Sequence, residues 1–181
     1  MASKVVTCNN EKFKLFISKK QIAERIKQLS KKINRDFKDR TPIFIAVLNG
    51  SFIFFADLIR EITIDCEIDF LKLSSYGDAK ISSGNVRLLK DLNCQVEGRD
   101  IIVVEDIVDS GLSIDFIKKI ILHQNPKSVS FVTLLYKTKA VKLDFPIDYI
   151  GVKIPNDFVI GYGLDYAQKA RNLPAVYTLK K

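Results

Sequence analysis

Two apolar runs constrain this chain most. Residues Pro42–Leu48 read PIFIAVL, and Asp100–Ile107 read DIIVVEDI. Neither run alternates, so neither suits a strand with one wet face. Unbroken runs of this length suit strands covered on both faces by helices, as in a mostly parallel sheet. The intervening pattern agrees. Ile22, Ile26, Leu29, Ile33 and Phe37 recur at helical spacing behind Ser18, a suitable N-cap. A helix is expected from Ser51 or a neighbour to Ile62, and another over Ser113–Gln124 with Ile117, Ile120 and Ile121 inward. His123, the only histidine, precedes Asn-Pro and belongs to the end of that helix. Strands are expected over Ile64–Ser74, at VRLLKDL, at SVSFVTLLY and at DYIGVKI. Alternating strands and helices define an α/β fold, a mostly parallel twisted sheet flanked by helices. With 181 residues, no repeat and no linker, one domain is expected over 1–181, with an irregular hood built from its terminal segments.

Composition narrows the partners. Basic residues outnumber acidic ones by 29 to 21, but the lysine doublets at 19–20, 31–32, 118–119 and 180–181 are dispersed. Without a basic run or aromatic interleaving, this charge suits a solvated surface or a small anionic substrate, and argues against nucleic acid. Cys8, Cys66 and Cys94 are odd in number and form no CxxC pair, which fits a reducing compartment and disfavours zinc. The apolar stretch Ile43–Ile59 is broken by Asn49, Gly50, Ser51 and Asp57, so it is strand, turn and helix, not a membrane span. A cytoplasmic protein is expected.

The chemistry concentrates where the second apolar run ends. Glu105 and Asp106 close the strand, and Asp109, Ser110, Gly111, Leu112 and Ser113 lead into a helix. In open α/β sheets ligands bind beyond the carboxyl ends of strands. Backbone N–H groups and the hydroxyls of residues 109–113 can surround a phosphate at the positive end of the helix, and Gly111 allows close approach. No Gly-Lys-Ser/Thr is present, so this is not a Walker loop. The acid pair suits two vicinal hydroxyls or a metal. Acid pair and cradle together describe a site for a phosphorylated ribose. The bland alternative is an acidic capping turn after a buried strand. The segment Ser75–Arg87 is polar, bears two glycines, and is expected to be a mobile loop.

The stretch VVEDIVDSGLS resembles the phosphoribosyl pyrophosphate (PRPP) motif of the type I phosphoribosyltransferases. LNGS (48–51) resembles their pyrophosphate loop, and SSYG (Ser74, Ser75, Tyr76, Gly77) the start of their flexible catalytic loop. LLYKT (134–138) and DFVIGYGLDY (157–166) resemble the purine-binding elements of the hypoxanthine-guanine members, and with Arg171 the likeness spans about residues 42–171. The resemblance implies transfer of a phosphoribosyl group from PRPP to a 6-oxopurine base, with Mg²⁺. It implies that Glu105 and Asp106 hold the ribose hydroxyls beside a magnesium ion, and that residues 109–113 bind the 5′-phosphate. Asp109 would be the acid/base at N7, and Lys137 would donate to the 6-oxo group. Phe158 would stack on the base, and the Val159 backbone would meet its 2-position. Asp165 would orient a second magnesium through water, and Arg171 would contact pyrophosphate. Ser75 and Tyr76 would close over the reaction centre. Asn49 stands where the family commonly has a basic residue, so the pyrophosphate contact falls to the backbone of Asn49, Gly50 and Ser51. Relatives often hold a non-proline cis peptide here; the sequence leaves that open for Leu48–Asn49. The resemblance also implies a homo-oligomer, dimer or tetramer. A PRPP-sensing regulator that binds nucleic acid on the same fold is the alternative, disfavoured by the dispersed lysines and by Asp109.

Overall fold

The computed structural model describes residues 4–75, 86–139, 141 and 143–180. In chain order these form β1 (Val5–Cys8), β2 (Glu11–Ile17), α1 (Lys19–Asp36), β3 (Ile43–Leu48), α2 (Phe52–Ile59), β4 (Glu67–Ser75) and β5 (Val86–Lys90). There follow β6 (Asp100–Val108), α3 (Leu112–Leu122), β7 (Ser128–Lys137), β8 (Tyr149–Ile154), β9 (Val159–Ile160) and β10 (Val176–Leu179).

The larger sheet has the order β5-β4-β3-β6-β7-β8. All neighbours are parallel except β5, which runs antiparallel to β4. The two apolar runs are its central neighbours, β3 and β6. Their side chains split by the two-residue period of a strand. Phe44, Ala46, Ile102 and Val104 pack with Ile22, Ile26, Leu29 and Ile33 of α1 and Phe54 and Leu58 of α2. Ile43, Ile45, Val47, Ile101 and Val103 pack with Ile114, Ile117 and Ile121 of α3 on the other face.

Local signals account for most element ends. Ser18 caps α1 through a capping box: its hydroxyl accepts from the Gln21 N–H (3.3 Å), and the Gln21 side chain accepts from the Ser18 N–H (2.9 Å). His123 is the C-cap of α3. Several expectations shift. α2 stops at Ile59 instead of Ile62, the chain turning at Glu61 and Ile62 through bonds to Leu58 and Ile59. β4 starts at Glu67 instead of Ile64, because its parallel partner β3 starts beside Pro42, whose carbonyl takes the Glu67 N–H (3.1 Å). In α3 the third inward isoleucine is Ile114; Ile120 is only half-buried.

The hood is regular. Its strands form an antiparallel sheet in the order β1-β2-β10-β9, joining residues far apart in the chain. Ile17, Val159 and Val176 of this sheet share the core on the α1–α2 side. Among the described residues, no helix is long and apolar enough to cross a membrane.

One buried acid ties the β4–β5 return. Asp69, 6% exposed, accepts from the N–H groups of Phe70 (2.7 Å), Asn93 (2.6 Å) and Cys94 (2.9 Å). Burial alone would raise its pKa, but these backbone bonds outweigh it and hold the carboxyl at about 2. A depressed carboxylate stabilises the fold above its unfolded pKa, and that stabilisation drains away as pH falls from about 4 through about 2. We expect Asp69→Asn to cost about 2 kcal/mol at neutral pH. Urea unfolding of both proteins checks this: the gap should be full at pH 6 and nearly closed at pH 2. An equal gap at both would sink it.

Candidate active site

The carboxyl ends of β3 and β6 lie side by side, and the chemistry-bearing loops leave from them. Glu105 is buried at the end of β6, while Asp106 keeps partial exposure. A cavity of about 240 Å³ is lined by residues 105–111 with Ser113 and Ile114. A second, of about 150 Å³, shares Glu105, Asp106 and Ser113 and is closed on the far side by Val47, Leu48, Gly50 and Leu73. The acid pair therefore stands between the start of α3 and the loop after β3.

The first cavity is a helix-start site. Gly111 occupies the N-cap position of α3 with φ 92°, a left-handed conformation that glycine adopts without a Cβ clash. The helix begins one residue earlier than expected, at Leu112, and its N-cap makes no side-chain capping bond. Ser110 comes nearest, its hydroxyl 3.4 Å from the Leu112 nitrogen. An N-terminus so arranged, facing a cavity, suits an anion.

The second cavity is shaped by a backbone approach. The Leu48–Asn49 peptide is cis. A Cβ at Gly50 would lie 1.8 Å from the Asp106 Oδ2, so a larger residue there would push the Asp106 carboxylate out of place. Ser51 is fully buried and its hydroxyl donates to the Val47 carbonyl (2.6 Å), so its side chain faces inward and holds the loop.

Two further ion pairs flank the acids. Lys137, at the end of β7, is buried and donates to Asp109 Oδ2 at 2.6 Å. Arg171 pairs with Asp165 at 2.7 Å and donates to the Gly163 carbonyl at 2.9 Å, and Asp165 also accepts from the Gln168 N–H at 2.8 Å. Phe158 lies half-buried in an aromatic group, 5.2 Å from the Tyr166 ring and 6.2 Å from Phe13, while Val159 is buried in β9. Ser74 and Ser75 end β4, and Tyr76 and Gly77, with most of the expected mobile loop, lie outside the described residues.

Electrostatics join Asp165 and Arg171 to the acid pair. Burial, and then the Asp106 carboxylate, push the Glu105 pKa up. Burial likewise raises Asp106; the Ile107 N–H and Arg171 oppose the rise and Asp165 adds to it. Asp165 and Arg171 are thus within electrostatic reach of the acid pair. Among the described residues, neither Glu105 nor Asp106 is ion-paired, and no three metal-ligating side chains converge. Two adjoining carboxylates without a cation fit a magnesium ion that takes its other ligands from water and substrate oxygens. They do not fit a cage made wholly of protein.

Sequence reasoning found the loops but missed how they touch. The Lys137–Asp109 pair was not anticipated. Neither was Gly163, where a Cβ would fall 2.0 Å from the Gly50 carbonyl oxygen. Paired glycines in two loops are a signal, but chain order alone does not say which loops meet.

A helix start that suits an anion, an acid pair and a second cavity beside the loop after β3 meet at one end of a parallel sheet, the arrangement expected of a phosphoribosyl-transfer class of protein. The phosphoribosyl transferase domain matches residues 17–167, and the chain belongs to that family. It is similar to the hypoxanthine-guanine phosphoribosyltransferase of Bacillus subtilis (strain 168), 43% identical over 167 residues, which are 92% of this chain and 93% of that protein. The hypoxanthine-guanine phosphoribosyltransferase of Dictyostelium discoideum is 39% identical over 171 residues, 92% of this chain and 95% of that one. Among solved structures, a hypoxanthine-guanine phosphoribosyltransferase from Bacillus anthracis with HEPES in its active site has a TM-score of 0.86 at 45% identity, covering 92% of this chain and 98% of that chain.

Proposed function

We propose that this chain transfers the 5-phosphoribosyl group of PRPP to hypoxanthine, and to guanine, releasing pyrophosphate in purine salvage. The observation that carries the choice of base is the Lys137–Asp109 pair. A 6-oxopurine presents the O6 acceptor and an N7 proton on one edge. A cation beside a carboxylate matches that edge. Adenine would turn a 6-amino donor toward the ammonium, which cannot accept.

In this reading the α3 start, residues 109–113, takes the 5′-phosphate. Glu105 and Asp106 take the ribose 2′- and 3′-hydroxyls and would hold a magnesium ion; Asp165 would help to hold a second. Bound magnesium would neutralise the pyrophosphate oxygens and so ease their departure. The backbone of Asn49 and Gly50, with Arg171, faces the pyrophosphate. Phe158 covers the base face and the Val159 backbone meets its 2-position. Purine N9 bonds to ribose C1 as the C1–O bond to pyrophosphate breaks, the electron pair leaving with pyrophosphate. Asp109 takes the N7 proton, and Lys137 turns from Asp109 to O6. The test is magnesium-dependent pyrophosphate release from PRPP with hypoxanthine, guanine, xanthine and adenine in parallel. No release with any oxopurine would overturn the proposal. The protein acts in the cytoplasm as a homo-oligomer, and a monomer mass in light scattering at working concentration would count against the assembly.

Lys137→Ala removes a charged donor from a buried position. We expect kcat/KM for hypoxanthine to fall by the equivalent of about 1.5–3 kcal/mol, with PRPP affinity nearly intact. Steady-state kinetics with each substrate varied checks this; unchanged kcat/KM would remove Lys137 from the base site.

A further inference from the structure

The turn Gly161–Tyr162–Gly163 contains an oddity. All three residues are left-handed, with φ of 94°, 54° and 101°. Glycine sits there without strain, but tyrosine does not, and such a conformation persists only where the surroundings hold it. Tyr162 is 4% exposed, and its ring lies in the core shared by α1 and α2. Its hydroxyl donates to Asp57 on α2, whose carboxylate is also paired with Arg60. α2 begins one residue after Ser51, so Asp57 lies on the helix that leaves the 49–51 loop.

The same turn meets that loop directly. Gly163 packs against the Gly50 carbonyl so closely that a Cβ would sit 2.0 Å from it. The Gly163 N–H donates to the Arg171 carbonyl (2.9 Å), and its own carbonyl accepts from the Arg171 guanidinium. Phe158 and Val159 precede the turn and Asp165 follows it. The two sides of the site, the base shelf and the pyrophosphate loop, are therefore linked twice: backbone to backbone at Gly163–Gly50, and through the Tyr162–Asp57 hydrogen bond.

We propose that Tyr162 is a positioning residue for the transfer, acting through Asp57 to fix the base shelf relative to the pyrophosphate loop. Neither side chain touches substrate. What they set is the spacing between the attacking nitrogen and the bond that breaks, on which transfer rates depend steeply. The inference rests on the transferase reading above.

The test uses the full chain with hypoxanthine and PRPP, scored per folded molecule from parallel thermal melts. Tyr162→Phe keeps the ring and loses the hydroxyl. We expect kcat to fall about tenfold while both KM values move less than about threefold, because alignment is lost and binding surfaces are kept. Asp57→Ala should do the same, and Asp57→Asn, which still offers an acceptor oxygen, should recover most of that loss. The Tyr162→Phe/Asp57→Ala double variant should be no worse than the weaker single. An unchanged kcat in Tyr162→Phe would overturn the proposal, as would losses that multiply in full in the double variant, or Asp57→Asn as impaired as Asp57→Ala. A wild-type chain without transferase activity would sink the transferase reading itself.

Discussion

Asp109→Asn is expected to lower kcat for hypoxanthine by about 10²–10⁴-fold, the usual worth of a positioned general base. Asp109 follows the acid pair instead of belonging to it, and it is an exposed side chain lining the cavity at the α3 start. Its partner is Lys137 at 2.6 Å. That contact holds the carboxylate toward Lys137, the side that the proposed function gives to the base. Asparagine has the same shape and still offers an oxygen to Lys137, but it cannot take a proton. PRPP affinity should therefore hold, since the α3 backbone and the acid pair are untouched. Single-turnover kinetics with a direct PRPP-binding measurement separates the cases. Weak PRPP binding with normal turnover would make Asp109 part of the phosphate cradle and place the proton acceptor elsewhere.

Gly163→Ala should be nearly as damaging for a different reason. The new Cβ would meet the Gly50 carbonyl oxygen at 2.0 Å, and backbone cannot step aside as a flexible side chain can. Alanine would also have to hold φ 101°. Relief requires the 49–51 loop and the 161–163 turn to separate, and misplacement of about 1 Å at a reacting centre costs about a hundredfold. We expect at least that loss in kcat/KM, with a lowered melting temperature. Gly98→Ala is the control for backbone conformation alone: φ is 69°, but beyond its chain neighbours no heavy atom lies within 4 Å of where the methyl would stand. Gly98→Ala should leave kcat/KM within about threefold. If Gly163→Ala behaves like Gly98→Ala, the contact between the two loops has no part in activity.

The legible parts of this fold are those written locally. Pro42–Leu48 and Asp100–Ile107 announced buried parallel strands because burial on both faces removes alternation. Ser18 announced the start of α1 because an N-cap is a local event, while the Gln21 half of the capping box came only with the fold. The small sheet was missed because its evidence is nonlocal. β2 pairs with β10 some 160 residues later, and β9 has only two residues. One local clue was available. Asn9 and Asn10 have φ of 47° and 64° and join β1 to β2, and paired asparagines favour such a left-handed turn. The site divides the same way. Residues 105–113 are one continuous motif and lie where their order implied. Lys137–Asp109, Gly163–Gly50 and Tyr162–Asp57 join separate elements, and only the fold brings them together.

The strand order of the small sheet gives the site a history during synthesis. β9, which follows Phe158, pairs only with β10, and β10 in turn with β2. Everything that would receive the sugar phosphate has left the ribosome once Ser113 and α3 have emerged. The surface proposed to lie under the purine waits for Val176–Leu179. On the proposed reading, the residues given to the sugar phosphate are thus synthesised well before the strand that completes the support of the base shelf.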